Sequence, residues 1–344
     1  MHITISLCKS LYILLQLSYM DQQDGITSTI NPDNSKNEVP QARQKSVSYV
    51  VAVSGGVDSV VLLHILTQMA EQSFADRSRP TMHLTVAHFD HGIREDSTDD
   101  RRFVERLAGV YGLAFVFDEG RLGAGASEAV ARDARYDFLR RVRQASGAQY
   151  LVTAHHEDDV FETAILNLLR GTGRKGLSSL RSTDEIYRPL LSTPKDHVRA
   201  YAQKHALQWR EDSTNASDDY LRNYIRHNIM PRFDTNAKVR LRQLIAAAHD
   251  TNIEIDGMLA EQLHLQPNGD VLDRHWFIML PHNVAKEIVA AWLRRLGVTS
   301  FDRPLLERIV VAGKTFAPGK QVDVNGRYVI VVYPDRLVFT PRYI

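Results

Sequence analysis

Two short runs hold the densest chemistry in the chain. Ser54-Gly55-Gly56-Val57-Asp58-Ser59 follows an apolar, β-branched stretch, VSYVVAV at 47–53, and precedes residues with helical periodicity. Paired glycines let a backbone turn tightly enough for amides at a helix N-terminus to face an anion. Ser54 and Ser59 add hydroxyl donors. Asp58 would repel phosphate unless a divalent cation such as Mg2+ stood between its carboxylate and the phosphates. The run therefore reads as a polyphosphate loop, although Gly-Gly alone also marks an ordinary strand–turn–helix junction. The second run is TAHHEDDVFET at 153–163. Asp158 stands four residues before Glu162 and Asp159 three, which puts the acids on neighbouring positions of one helix face. Three carboxylates there suit a substrate cation and its proton, and complementing a helix dipole would also place acids in a first turn. The dipole does not account for His155 and His156. No ligand set with His88 or His91 closes around them as a zinc site.

Basic residues come in three further groups. In SEAVARDARY (127–136), Arg132 and Arg135 lie three apart on a helix face, either as a clamp for phosphate or a substrate carboxylate, or as solvated arginines. LLRGTGRKGL (168–177) carries Arg170, Arg174 and Lys175, and residues 164–183 contain no acid. It reads as a flexible, glycine-rich loop able to hold a phosphodiester backbone. EDSTN (211–215) is a turn, followed in LRNYIR (221–226) by Arg222 and Arg226, spaced i and i+4.

The elements around these runs must position them. Strands are expected at 47–53, 83–89, 113–117 and 149–154. Helices are expected from 57 to 72, from Ser97, from Ser127 and from 157 to 170. Strands alternating with helices of this length make βαβ crossovers, hence a Rossmann-like parallel sheet with helices on both faces. Each chemical run sits where such a strand ends, the usual place for ligands in this class. Thr193-Pro194 reads as N-cap and first residue of a helix to about 206, and a helix over 217–230 stops at Pro231. After a boundary at 231–236, helices near 236–262, 283–296 and 303–313 lead into a hairpin or meander turning at Asn325-Gly326 and Pro334-Asp335. Gly313-Lys314-Thr315 is a decoy for a Walker loop, because Arg308 occupies the place of its first glycine.

The chain has 344 residues, 44% hydrophobic and 24% charged, with a formal net charge of +1. That supports about two globular domains and gives no global sign of a nucleic-acid binder, so any basic surface is local. One cysteine, Cys8, excludes a disulfide framework, a Cys-rich zinc site and paired-thiol chemistry, and fits a cytoplasmic location. Residues 10–19 are apolar but about half a membrane span, and no cleavage site follows. Residues 1–46 are expected to be a disordered leader or a start assigned too early. Met20 is then the expected natural start, which mass spectrometry of the native N-terminus checks.

SGGVDS resembles the signature of the PP-loop ATP pyrophosphatases. HFDHGIR, EAVARDARYDFL, TAHHEDDVFET, LLRGTGRKGL, RPLL and EDSTN…RNYIRHNIMP follow, in order, the tRNA(Ile)-lysidine synthetase family of that fold. The resemblance covers roughly 47–233. It implies a catalytic domain there and a smaller tRNA-binding or accessory domain, helical or α+β, over 234–344. It further implies a C–N-forming ligase that uses ATP and Mg2+ to join L-lysine to the wobble cytidine of tRNA(Ile) with a CAU anticodon. The resemblance places Ser54 to Ser59 and His88 at ATP, with Asp58 also at the metal. Asp58, Arg132, His156, Asp158, Asp159 and Glu162 fall to catalysis, and Arg135, Arg170, Arg174, Lys175, Arg222 and Arg226 to tRNA. No membrane is implied, and a homodimer is an assembly to test. GMP and NAD synthetases share SGGxDS and use ammonia, which makes them the alternative. A tRNA thiolase lacks its thiols here.

Overall fold

The computed structural model describes residues 46–76, 80–90, 97–120, 128–211, 221–266, 269–298 and 300–342. The expected leader, His91 to Arg94 of HFDHGIR, Ser127 and 212–215 of EDSTN lie outside the described residues, Ser46 excepted. The chain forms two compact units that part between Ile245 and Ala246.

The first unit holds a five-stranded parallel sheet of β1 (Ser46–Ala52), β2 (Thr81–Asp90), β3 (Ala114–Glu119), β4 (Tyr150–Val152) and β5 (Ile186–Tyr187), in the order β3-β2-β1-β4-β5. β1 is the natural centre because Val50 and Val51 are fully buried, one toward each face. Val51 packs with α1 (Val57–Ala75), whose Val61, Leu62 and Leu66 belong to the same core. Val50 packs with Tyr136, Phe138 and Leu139 of α3 (Glu128–Ala145) on the other face. α2 (Ser97–Val110), α4 (Glu157–Leu169) and α5 (Lys195–Lys204) complete the layers. The strand order reverses between β1 and β4, which opens a crevice at their carboxyl ends.

Four local expectations differ. β5 was not anticipated, being two residues long between polar neighbours, yet it adds the edge that delivers Arg188. Pro194 is itself the N-cap of α5, and Thr193 is buried with no hydrogen bond to its hydroxyl among the described residues. Of the helix expected over 217–230, residues 217–220 lie outside the described residues, and the rest is one α turn, α6 (Leu221–Tyr224), widening into a π turn over Ile225–Ile229 and tightening at Met230–Arg232. The first unit also runs beyond Pro231. Leu241 and Ile245, in the first turns of α7 (Thr235–His264), pack with Phe161, Ala164 and Ile225.

The second unit contains an antiparallel sheet in the order β6-β9-β8-β7, with β6 (Val271–Asp273), β7 (Gln321–Asn325), β8 (Tyr328–Val332) and β9 (Arg336–Pro341). The expected meander forms, and the Asn325 side chain accepts from the amides of Arg327 and Tyr328 at 3.0 and 3.1 Å. α8 (Arg274–Met279), α9 (His282–Arg295) and α10 (Arg303–Thr315) cover it around buried Phe277, Ile288 and Trp292. Gly313-Lys314-Thr315 closes α10. A Cβ on Gly313 would stand 2.7 Å from Phe277 Cε1, so that glycine serves packing.

Candidate active site

The SGGVDS loop leaves β1 and enters α1. Gly55 takes φ +96°, a left-handed value that only glycine adopts without strain. Ser59 holds the turn. Its hydroxyl accepts from the Ser54 and Gly55 amides, both at 3.2 Å, and donates to the Gly56 carbonyl at 2.9 Å. Ser59 thus shapes the loop from within, whereas Ser54 is exposed. Val57 is buried in the core, leaving its backbone as the part turned to chemistry. A residue the sequence did not flag braces the loop: the Arg210 amide donates to the Gly55 carbonyl at 2.9 Å, and Arg210 Nε donates to Asp100 at 2.8 Å. Next door, His88 Nδ1 lies 2.8 Å from the Val53 carbonyl and must donate to it, which fixes the tautomer. Burial lowers the His88 pKa, so the ring is neutral.

β4 delivers the second run. Thr153 is buried, and its hydroxyl lies 2.8 Å from His155 Nδ1. His156 is the N-cap of α4, and its amide donates to Asp159 Oδ2 at 3.0 Å. The His156 ring reaches both runs, with Nε2 3.6 Å from Asp58 Oδ2 and 3.6 Å from Asp159 Oδ2. Burial would lower the His156 pKa, but the Asp159 and Asp58 carboxylates outweigh it and raise it. Burial would likewise raise Asp159, but His156, His155 and Arg222 hold it at about 2. His155 goes the opposite way. Burial, reinforced by Arg188, Arg135 and Arg132 against the pull of Asp159, leaves it at about 3 and neutral. Asp158 is pushed up by burial, so it is the acid best suited to take a proton.

Glu162 is 1% exposed and does not stand open. Arg226 Nε and Nη2 hold its two oxygens at 2.7 and 2.9 Å, and Arg222 Nε adds a bond at 3.1 Å. Arg222 Nη2 also donates to Asp159 at 3.3 Å. The two arginines, grouped by sequence with the tRNA contacts, are therefore drawn into the acid cluster. The widened turn that carries Arg226 is a feature often found at functional sites. Behind them, buried Glu157 accepts from Arg242 of α7 at 2.5 Å.

Asp58 Oδ1 is buried with no hydrogen-bond partner among the described residues. Among those residues no group of three or more His, Cys, Asp or Glu forms a metal cage. One free carboxylate oxygen beside an anion-binding loop fits a Mg2+ shared with bound phosphates, not a cation held by protein alone.

The remaining basic residues lie in two places. Arg132 and Arg135 stand over the Tyr136 ring, 4.9 and 5.4 Å from its centroid. Arg170 is the C-cap of α4, followed by Gly171 at φ +62°. The RGTGRKGL run after it is more ordered than its composition implies. Asn167 Nδ2 donates to the Gly176 carbonyl at 2.8 Å, and Thr172 Oγ1 donates to the Asn167 carbonyl at 3.0 Å. Arg174 and Lys175 occupy the turn so formed. Sequence reasoning missed Arg188 as a site residue, although RPLL was noticed. It follows β5 directly, is 6% exposed, and its Nη2 donates to Tyr136 Oη at 3.3 Å.

A parallel sheet with an anion loop at its switch point and a charged cluster beside it defines a nucleotide-using α/β domain. Residues 28–233 match the ATP_bind_3 family, a PP-loop domain, and the chain belongs to that family. Among curated relatives, a tRNA(Ile)-lysidine synthase of Thermotoga maritima is 36% identical over 189 residues, 53% of this chain and 44% of that one. Another, of Solibacter usitatus, is 36% identical over 294 residues, 79% of this chain and 64% of that one. The chain spans about half the length of the first of these relatives. A U34-tRNA thiolase from Methanococcus maripaludis superposes with a TM-score of 0.50 at 18% identity, covering 60% of this chain and 73% of that one, a likeness of fold. No helix among the described residues is long and apolar enough to cross a membrane.

Proposed function

We propose that this chain joins the ε-amine of L-lysine to C2 of the wobble cytidine in tRNA(Ile) with a CAU anticodon, at the expense of ATP, as tRNA(Ile)-lysidine synthases do. The observation that carries the reading is the 3.6 Å contact of His156 with Asp58, which places the anion loop and the acid cluster in one centre. The relatives' name supports tRNA(Ile) as the nucleic-acid substrate, and L-lysine and the CAU anticodon belong to the proposal. The cytoplasm, where tRNA is modified, is the proposed location.

The cytosine C2 oxygen leaves poorly, so it first attacks the α-phosphorus of ATP and pyrophosphate departs. The amides of Val57, Asp58 and Ser59, in the first turn of α1, would meet the departing phosphates. Mg2+ held at Asp58 Oδ1 would spread the pyrophosphate charge. The lysine ε-ammonium, with a pKa near ~10.4, must lose a proton before it attacks C2 and AMP leaves. Asp159, held ionised by His156 and Arg222, attracts the ammonium, and Asp158 accepts its proton. Glu162 is already spent on Arg222 and Arg226, so its part is to hold those guanidinium groups at the site. Arg174 and Lys175 bind the anticodon-loop backbone, whose unstacked bases can enter a pocket.

Product analysis tests the reading. Wild-type protein given ATP, lysine and unmodified tRNA(Ile) should release AMP and pyrophosphate in step, and nuclease digestion should yield a wobble nucleoside heavier by lysine less water. AMP release with an unmodified nucleoside would remove lysine as the nucleophile.

A further inference from the structure

An anion loop has to engage its carbonyl oxygens elsewhere as well as present its amides, because a carbonyl turned toward phosphate repels it. In SGGVDS the Gly56 carbonyl accepts from the Ser59 hydroxyl at 2.9 Å and from the Val60 amide at 3.1 Å, so α1 itself takes it up. The Gly55 carbonyl is met from outside the loop. There the backbone stands at φ +96°, and the Arg210 amide donates to the oxygen at 2.9 Å.

Arg210 belongs to no helix or strand, so its amide is placed only as well as the rest of the residue is held. Its Nε donates to Asp100 Oδ1 at 2.8 Å, and the Asp100 side chain is 15% exposed. Asp100 lies in the first turn of α2, where the helix dipole favours a carboxylate. Phe103 and Val104 follow at i+3 and i+4, on the same face of that helix. Each has an atom 3.5 Å from the point a Cβ on Gly55 would occupy, and Arg210 Cγ is 3.8 Å from it. One face of α2 therefore closes on Gly55, directly through two apolar side chains and at one remove through Arg210. We propose that Asp100 and Arg210 are positioning residues for the nucleotide, their ion pair holding the Gly55 peptide in the conformation that receives phosphate. The inference rests on the reading of SGGVDS as the ATP loop of the proposed ligation and adds what keeps that loop shaped. Only the shaped fraction of the protein takes the ligand, so loosening the pair should weaken binding of ATP and leave a filled site working.

The test uses the full chain with Asp100→Asn, Arg210→Ala and the two together. Arg210→Ala keeps the amide and removes the tie, and Arg210→Lys, which keeps the charge, should recover part of the loss and serves should the alanine fail to fold. Equilibrium dialysis with radiolabelled ATP and Mg2+ reads the Kd for ATP without lysine or tRNA. Each single change should raise it about 5- to 10-fold, as for a half-exposed charge-assisted bond, and the double variant no further than the worse single one. In ligation the KM for ATP should rise likewise, with kcat and the KM for lysine within about twofold of wild type. A wild-type Kd in folded variants, or additive losses in the double variant, would overturn the proposal. So would KM values for ATP, lysine and tRNA that rise together with a lower Tm, which would make the pair a prop of the fold alone. Wild-type protein that binds ATP and ligates nothing would refute the proposed ligation, while the dialysis still decides the role of the pair.

Discussion

His156 Nε2 lies 3.6 Å from Asp58 Oδ2, so a residue that caps the acid helix also touches the anion loop. The same nitrogen is 3.6 Å from Asp159. One imidazole thus ties the two halves of the site, between two carboxylates that favour its protonated form.

The tie has a pH window. Asp159 is held below its ordinary 3.8, so its contribution is present above that value and lost as pH falls toward about 2. His156 is raised above 6.5, so its contribution is complete below 6.5 and lost as pH rises through the higher folded value. The stability gap between wild type and His156→Gln should therefore be widest between pH 3.8 and 6.5. Urea unfolding at a series of pH values measures it, and a gap that grows above pH 7 would contradict the assignment.

Asp58 should matter for chemistry and not for docking. Asp58→Ala should cut ATP–pyrophosphate exchange by at least ~100-fold, the usual cost of losing a group that stabilises transition-state charge. Binding of tRNA in a gel-shift assay should change little. Loss of binding with normal exchange would reverse the roles.

Glu162 answers to two guanidinium groups, and removing it strands both. Glu162→Gln should destabilise the fold by about 3 kcal/mol, as when one member of a buried ion pair is lost. Adding Arg226→Gln should cost less than the sum of the single changes, because the partners share one network. Strict additivity in denaturant midpoints would show that the pair is not coupled.

The turn carrying Arg174 and Lys175 should act through phosphate. Replacing both by alanine should raise the KM for tRNA and flatten the dependence of log K on log salt by about 1.4, at ~0.7 per single-strand contact. An unchanged slope would take the turn out of the interface.

Much of this was legible in the sequence because glycines, buried β-branched runs and paired acids report local geometry. VSYVVAV followed by two glycines admits few structures other than a central strand and a tight turn. Long-range pairings were not legible. Nothing local says that Arg222 and Arg226 meet Glu162 some 60 residues away, that Arg210 braces Gly55, or that Arg188 closes on Tyr136. Such partners depend on sheet order, and β5 is too short to announce itself. The π turn at Ile225–Ile229 was hidden for a related reason, since i and i+4 arginines look the same on a regular helix. Asn167, which orders the RGTGRKGL turn, sits in a helix pattern where its side chain carries no signal of its own.

The most direct measurement is incorporation of radiolabelled lysine into unmodified tRNA(Ile) with a CAU anticodon, beside elongator tRNA(Met). With ATP and Mg2+ the account predicts labelling of tRNA(Ile) that vanishes when ATP is omitted, and none of tRNA(Met). Absence of label from protein that binds ATP would contradict it and turn the search to ammonia as nucleophile.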